Sequence, residues 1–236
     1  MIQESGMTTK NNSSKTCLID TGHGWQVLVA LIVVTVLYSL LAEAMVQMTP
    51  SFPLSSVQAR DGSLTLSSIL LAVSVIALVM NREKLAATTL YVFTAVVTLY
   101  LLSGVILLLV SMPNLRGNEG GLVLLRDAII VWVINVILFA VWYWLLDGGG
   151  PIKRCNAATG RKDFLFPQEF MKISNWEDWR PGFFSYIFLS FHFCSTFGPS
   201  DAYVLSWRGK FLVMVQVSIS LITLTMLIAR AFMMIV

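Results

Sequence analysis

Charged side chains are scarce in this chain of 236 residues: only 12% are Asp, Glu, Lys or Arg, whereas 56% are hydrophobic. An ordinary soluble domain carries roughly 25% charged residues. This scarcity excludes an ordinary soluble globular domain and indicates a polytopic membrane protein. The lipid bilayer is therefore the partner expected for most of the surface.

Cysteine and histidine are also few. Cys17, Cys155 and Cys194 lie far apart in the sequence, and His23 and His192 are the only histidines. This spacing assembles neither a disulfide framework nor a zinc site, because metal-binding cysteines usually come in close pairs. We expect no cofactor and no metal, and we interpret Cys194 as a small buried apolar residue.

Catalytic and nucleic-acid-binding patterns are equally lacking. The chain has no Ser/His/Asp set and no glycine-rich phosphate loop, and its net charge is only +3. We therefore expect no catalytic residues and no enzyme. The basic residues cluster in loops, which in a membrane protein indicates orientation rather than a nucleic-acid partner.

Long apolar runs are what the chain has in abundance. About 20 apolar residues cross a bilayer as a helix, and five runs approach or exceed that length: residues 25–48, 64–80, 85–112, 122–146 and 211–236. A short loop bearing Arg60 and Asp61 is predicted before the second run. Asn135 lies within the fourth run, where we interpret it as a residue that hydrogen-bonds to another helix.

A shorter apolar segment, residues 183–195, precedes the last run. As a helix it would extend about 20 Å at 1.5 Å per residue, whereas the hydrocarbon core is roughly 30 Å thick. The segment predicts either a re-entrant or an interfacial half-helix. A short helix, an irregular Gly/Pro-containing turn and a long helix together are typical of a pore loop.

The expected fold class is an all-α integral membrane protein with about five transmembrane helices plus a re-entrant pore-like half-helix before the last span. A polar N-terminal tail is predicted at 1–23, a three-helix membrane region at 24–112, and a pore-like module at 113–236. Within the module we predict an outer helix at 122–147, a loop at 148–182, the half-helix and its loop at 183–201, and an inner helix at 207–236. The cluster of Trp142, Tyr143 and Trp144 is expected at headgroup level.

The half-helix, its loop and the following span resemble the pore loop and inner helix of tetrameric potassium-channel-type proteins, whose filter signature is Thr-Val-Gly-Tyr-Gly-Asp. The filter-like positions here are Thr196, Phe197, Gly198, Pro199, Ser200 and Asp201. The first, third and sixth of them match the signature without a gap. In addition, the stretches LLRDAIIVWVINVILFAVWYWLLDGGGP, DFLFPQ, WRPGF and FGPSD are similar to motifs of an uncharacterised family of bacterial membrane proteins, which implies a location in the bacterial inner membrane.

The departures from the signature bear on selectivity. A potassium filter presents backbone carbonyls to the ion, and its glycines adopt backbone angles closed to other residues. Pro199 fixes φ near −65° and Ser200 replaces the second glycine. The resemblance therefore implies a homotetramer that passes monovalent cations without potassium selectivity. The alternative is a non-conducting accessory or scaffold subunit that retains the channel-like fold.

Single residues near the filter-like positions leave alternatives open. Asp201 could form a ring of carboxylates at a pore mouth, or cap the helix that follows. His192 could act as a pH sensor, or be packed and hydrogen-bonded among its phenylalanine neighbours.

One face of the last span carries polar residues at helical spacing: Gln216, Ser220, Thr223 and Leu227. This face could line a conduit, or its small polar residues could join membrane helices. Under the conduit interpretation, a lone chain would leave the face against lipid, which favours four copies. Arg126 and Asp127 are adjacent in the fourth run and are predicted not to pair face to face.

Orientation leaves a conflict. One side of the membrane is expected to hold Lys10, Lys15, Arg82, Lys84 and the six basic residues of the long loop, against Arg60, Arg116, Arg126 and Arg230 on the other. The positive-inside rule then places the long loop in the cytoplasm. Potassium-channel geometry requires the opposite, because there the loop before the filter is extracellular.

Overall fold

The computed structural model describes residues 24–48, 55–80, 82–111, 118–156, 161–171, 179–196 and 202–235. The all-α class is confirmed. The long helices are α1 (Gly24–Met48), α2 (Ser55–Val79), α3 (Glu83–Ser111) and α4 (Asn118–Leu146). After α4 come a 3-10 turn (Asp147–Gly149), α5 (Pro151–Asn156), β1 (Phe164–Leu165), α6 (Pro167–Phe170), α7 (Phe183–Thr196), β2 (Tyr203–Val204) and the long helix α8 (Trp207–Ile235).

Three helical segments among the described residues are long and apolar enough to cross a membrane: Lys84–Ile106, Leu125–Gly149 and Trp207–Ala229. Shorter apolar segments lie at Trp25–Leu41, Thr65–Ala77 and Phe183–Ser195. These lengths indicate a membrane protein, since a helix needs about 20 apolar residues to span the hydrocarbon core.

Helix α4 is the centre of the bundle. It packs against α1, α3, α7 and α8, and α2 packs mainly against α3. Fully buried apolar side chains run along α4, including Val131, Ile134 and Leu138. The apolar segment of α4 is 61% buried within the chain, whereas that of α8 is only 28% buried. Helix α8 therefore presents most of its surface to lipid or to another molecule.

Hydrogen bonds fix the direction of α3 against α4. The Tyr91 hydroxyl donates to the carbonyl oxygen of Leu145, and Trp142 Nε1 donates to Thr98 Oγ1 at 2.9 Å. The start of α3 thus lies beside the end of α4. We call this end of the bundle, where α4 ends and α5, β1, α6 and β2 lie, the loop end.

Helices α7 and α8 run in the same direction. Ser190 of α7 contacts Gln216 of α8, and four residues further along each helix, Cys194 contacts Ser220. Strand β2, which precedes α8, pairs antiparallel with β1 in the register Phe164 to Val204 and Leu165 to Tyr203. Both α7 and α8 thus begin at the loop end.

The Asp147 carboxylate holds the loop end together. Its Oδ1 accepts the backbone N–H groups of Asp163 at 2.9 Å and Phe164 at 3.1 Å, and its Oδ2 accepts the Tyr186 hydroxyl at 2.6 Å. One buried side chain therefore joins the end of α4, strand β1 and the first turns of α7.

Three successive glycines turn the chain after α4, with φ of 60° at Gly148, 80° at Gly149 and 100° at Gly150. These left-handed values favour glycine because a Cβ would be strained there. Arg154 closes the turn by donating to the carbonyl oxygens of Trp144 at 2.8 Å and Asp147 at 2.5 Å. The motif Asp-Gly-Gly-Gly-Pro is thus explained by the local backbone.

One local prediction needs correction. Arg60 and Asp61 lie inside α2, which begins at Ser55, rather than in a loop. A helix can start in polar sequence when it extends beyond its apolar run, and hydropathy alone misses that start. Tyr143 and Trp144 are buried at 0% and 3% exposure, because α4 is enclosed on several sides; their depth at headgroup level stays a prediction.

The prediction for Arg126 and Asp127 was also wrong. Their side chains pair at 3.1 Å, with Arg126 Nε donating to Asp127 Oδ1. Adjacent residues diverge on a helix, but the long arginine side chain can curl back to its neighbour. Asp127 is fully buried, and its Oδ2 has no hydrogen-bond partner among the described residues.

Candidate functional site at the contact of α4, α7 and α8

A cluster of polar side chains lies where α4, α7 and α8 meet. We call it the polar seam; its members are Asn135, Tyr143, Ser190, Cys194, Gln216 and Ser220. Each of them is almost completely buried. Asn135 lies near the middle of the apolar segment Leu125–Gly149, so the seam is placed deep within the apolar part of the bundle.

Gln216 of α8 is the hub of the seam. Its Oε1 accepts the hydroxyl of Tyr143. Its Nε2 donates to Ser190 through the carbonyl oxygen at 3.1 Å and Oγ at 2.5 Å, and to Cys194 Sγ at 3.0 Å. A single amide thus satisfies groups on both α4 and α7, which is the usual requirement for a polar side chain in an apolar interior.

Two serine hydroxyls hold α7 in place. Ser190 Oγ donates to the carbonyl oxygen of Val136 at 2.6 Å, which ties α7 to α4. Ser220 Oγ donates to the carbonyl oxygen of Cys194 at 2.8 Å, which ties the end of α7 to α8. That carbonyl belongs to the last turn of α7, where helix carbonyls lack an intrahelical donor.

Asn135 joins α4 to α8 by a hydrogen bond, as predicted for a polar residue between membrane helices. Its Nδ2 donates to the backbone carbonyl of Gln216 at 3.3 Å and approaches Cys194 Sγ at 3.5 Å. Its Oδ1 is buried and has no partner among the described residues. The seam therefore contains one buried acceptor without a described partner, Asn135 Oδ1, close to the end of α7.

The polar face predicted on the last span points into this seam. Gln216, Ser220 and Thr223 are buried by the rest of the same chain, and Leu227 is half-buried. The expectation that a lone chain exposes this face to lipid is therefore corrected: α4 and α7 cover it. Periodicity shows which residues share a face, but it does not show what covers that face. The arrangement favours the packing interpretation of these residues over the pore-lining one.

The opposite face of α8 behaves differently. Ser218 and Thr225 are exposed, and their hydroxyls donate to carbonyls of their own helix, those of Met214 at 2.8 Å and Leu221 at 2.7 Å. They are thus satisfied without a neighbour. The outer surface of α8 is apolar in character despite these two residues.

The filter-like positions fall where little is described. Residues 197–201 lie outside the described residues, and Thr196 is described only as the last residue of α7. His192 is half-buried and its ring lies 5.8 Å from that of Phe188. Cys194 is a free, buried cysteine, as expected.

Tyr143 and Ser190 are members of the seam that sequence reasoning missed as site residues. The aromatic pattern predicts an interface position for Tyr143, and no sequence motif discussed above includes Ser190. The available signal was helical spacing: Ser190 and Cys194 are four residues apart, as are Gln216 and Ser220, so each pair shares one face. Two such pairs on successive helices indicate a contact between those faces.

The chemistry of the seam is that of neutral hydrogen-bonding groups. It contains no carboxylate and no histidine, and within the described ranges no group of three or more His, Cys, Asp or Glu residues could hold a metal ion. The seam can position α7 and its tip, and it offers the free acceptor of Asn135. We find in it no arrangement suited to acid–base or nucleophilic chemistry.

Comparison with known proteins adds no relative. No protein-family model matches the chain, and no curated protein or solved structure matches it significantly.

Proposed function

We propose that this chain is a bacterial inner-membrane protein with five transmembrane helices (α1 to α4 and α8) and a re-entrant half-helix, α7. Four copies assemble around the tips of their half-helices and pass monovalent cations without potassium selectivity. The filter-like residues Thr196 to Asp201 form the tip in this proposal. Loss of the second glycine and the presence of Pro199 account for the missing selectivity.

One observation carries the proposal: α7 and α8 both begin at the loop end and run in the same direction. Helix α7 has 14 residues, about 21 Å at 1.5 Å per residue, which is less than a crossing of roughly 30 Å. The next six residues, 197–202, can span about 20 Å when extended. They are therefore long enough to return the chain to β2, and the path of 183–202 enters and leaves on one side.

The direction of α7 favours cations. A helix carries a partial negative charge at its C-terminus, and α7 ends beside Asn135, near the middle of the apolar segment of α4. Its last turn contains no basic residue. Helix ends and carbonyl oxygens at such a depth stabilise a cation and disfavour an anion. One tip per chain cannot enclose a path, so conduction requires several copies.

A second candidate is a non-conducting accessory or scaffold subunit. The observation that favours it is the closure of the polar seam, since Gln216, Ser220 and Thr223 are all engaged or buried within one chain. No further copy is needed to cover them. In this alternative the channel-like fold is kept for packing alone.

Re-entry is tested with single cysteines on either side of α7. Arg180 and Arg208 are both exposed, so Arg180→Cys and Arg208→Cys are made separately in a background without the native cysteines. A membrane-impermeant thiol reagent should label both from the same side of the membrane. Arg126 is exposed at the start of the apolar segment of α4, at the end of the bundle opposite the loop end, so Arg126→Cys should label from the opposite side. Labelling of positions 180 and 208 from opposite sides would rule out re-entry.

Conduction is tested with purified protein in planar bilayers. We expect a cation conductance that is reduced by Asp201→Asn, because the change removes a carboxylate from the tip. Glu169→Gln, which removes a carboxylate near the loop end, serves as the matched control and should leave the conductance unchanged. Silence of the wild type over a range of voltage and pH supports the scaffold instead. A protein that is only monomeric by native mass spectrometry in mild detergent would exclude the conduit.

A further inference from the structure

The fully exposed charged side chains that the structure describes at the loop end are all of one sign. They are all basic: Arg82, Lys84, Lys153, Arg161, Lys162, Arg180, Arg208 and Lys210. None of the three described acids at this end is fully exposed, and Asp163 is half-buried. Asp147 is buried and accepts three hydrogen bonds, and Glu169 pairs with Lys162 at 2.8 Å with its side chain only 10% exposed.

Pairing of β2 with β1 brings two of these basic residues to the loop end. The backbone N–H of Leu205 also donates to the carbonyl oxygen of Asp163 at 2.9 Å, so the chain enters α8 directly beside the long loop. Arg208 and Lys210 follow in the first turn of α8 and are exposed. They lie at the boundary of the apolar segment Trp207–Ala229.

Exposed aromatic rings accompany these two residues. Trp207 is 74% exposed and Tyr203 is 62% exposed. The Arg208 guanidinium lies 5.9 Å from the centre of the Trp207 ring, and the exposed Phe170 ring lies 6.1 Å from that of Tyr203. Amphipathic aromatic rings at the edge of an apolar helix are typical of the headgroup layer of a bilayer.

At that depth the available anion is the phosphate of a lipid. Basic residues next to an aromatic ring can bind the phosphate while the ring packs among the upper acyl chains. A soluble anion would gain nothing from Trp207 and Tyr203, and a protein partner would have to displace lipid from the first turn of a membrane helix. Both charge and depth therefore favour a phospholipid.

We propose that the first turn of α8 is a binding site for an anionic phospholipid headgroup, formed by Arg208 and Lys210 and flanked by Trp207 and Tyr203. We call it the headgroup site. It requires neither conduction nor a tetramer, so its failure leaves those proposals untouched.

The experiment measures lipid adducts by native mass spectrometry of the detergent-solubilised, full-length protein, titrated with phosphatidylglycerol or with phosphatidylcholine. We expect phosphatidylglycerol to bind more tightly. Each basic residue near an anionic lipid surface contributes about fivefold in binding constant, so the double variant Arg208→Gln/Lys210→Gln should bind it about 25-fold more weakly. Inorganic phosphate at millimolar concentration should not displace the lipid.

The matched control is Arg82→Gln/Lys84→Gln, which removes the same charge from the same end but at the start of α3. It should weaken phosphatidylglycerol binding much less than the first double variant. Equal losses in the two variants would overturn the headgroup site, because they would indicate a diffuse field of charge. Equal binding of the two lipids, or displacement by phosphate, would also overturn it.

A third variant separates the site from simple loss of charge. Trp207→Ala keeps every charge and should still weaken phosphatidylglycerol binding, since the ring flanks the headgroup. Thermal unfolding of all variants in detergent should match that of the wild type, because these side chains are exposed. Unchanged lipid binding by Trp207→Ala would refute the part assigned to the aromatic ring.

Discussion

The bond between Tyr143 and Gln216 gives the most direct test of the polar seam. In the variant Gln216→Leu, the leucine fills a similar volume but neither donates nor accepts a hydrogen bond. It removes four bonds, one to Tyr143, two to Ser190 and one to Cys194. Hydrogen bonds between membrane helices average about 0.6 kcal/mol and reach about 1.7 kcal/mol, so four of them amount to about 2 to 7 kcal/mol. We expect a loss near 2 kcal/mol, because leucine gains apolar contacts.

The second variant, Tyr143→Phe, removes only the hydroxyl. In the wild-type background it should cost about 1 kcal/mol, since it leaves Gln216 Oε1 without its donor. In the Gln216→Leu background the same change should cost almost nothing, because the hydroxyl there already lacks its acceptor. The double variant is therefore expected to be as stable as Gln216→Leu alone, which corresponds to a coupling of about 1 kcal/mol.

The free energy of unfolding is measured by titrating a denaturing detergent into protein in mild micelles and following helix content by circular dichroism. Ser218→Ala, on the exposed face of α8, is the control and should change stability by less than about 0.5 kcal/mol. Equal costs of Tyr143→Phe in both backgrounds would refute the bond. An effect of Ser218→Ala as large as that of Gln216→Leu would refute the distinction between the two faces.

Three further changes test the loop end and the contact of α3 with α4, each by the same unfolding measurement. Gly150→Ala should cost about 1 to 3 kcal/mol, because φ is 100° there and a Cβ would lie 3.1 Å from a backbone carbonyl oxygen; an unchanged stability would contradict this geometry. Asp147→Ala should cost about 3 kcal/mol or more, since it leaves the Tyr186 hydroxyl and two backbone N–H groups without their acceptor. Asp147→Asn should cost less, because the asparagine side chain keeps one acceptor oxygen. Trp142→Phe should cost about 1 kcal/mol through loss of the bond to Thr98, and a loss below 0.3 kcal/mol would show that this bond adds little.

Much of the fold could be predicted from the sequence because apolar runs have a direct physical meaning in a membrane. The start of the short apolar helix at 183 and of the last helix at 207 agree with the structure. Helical periodicity also grouped Gln216, Ser220 and Thr223 correctly on one face. These features depend on local spacing, which a single sequence contains in full.

The contacts between distant segments could not be predicted in the same way. Strands β1 and β2 have two residues each, too few to show the alternation that marks a strand. Tyr143 lies 73 residues from Gln216, and nothing local to either residue indicates its partner. The inward direction of the polar face depends on these contacts, which is why periodicity alone left two interpretations open.

The parallel course of α7 and α8 has a consequence for biosynthesis. The ribosome releases α4 first, then α7, and only then Gln216, whose amide bonds to both earlier helices. Until α8 is inserted, the hydroxyl of Tyr143 and the last carbonyls of α7 lack their partners, and unpaired polar groups are costly in lipid. We therefore expect α7 to complete its packing only after α8 is inserted, although α7 is synthesised first, because Gln216 and Ser220 of α8 supply the missing partners.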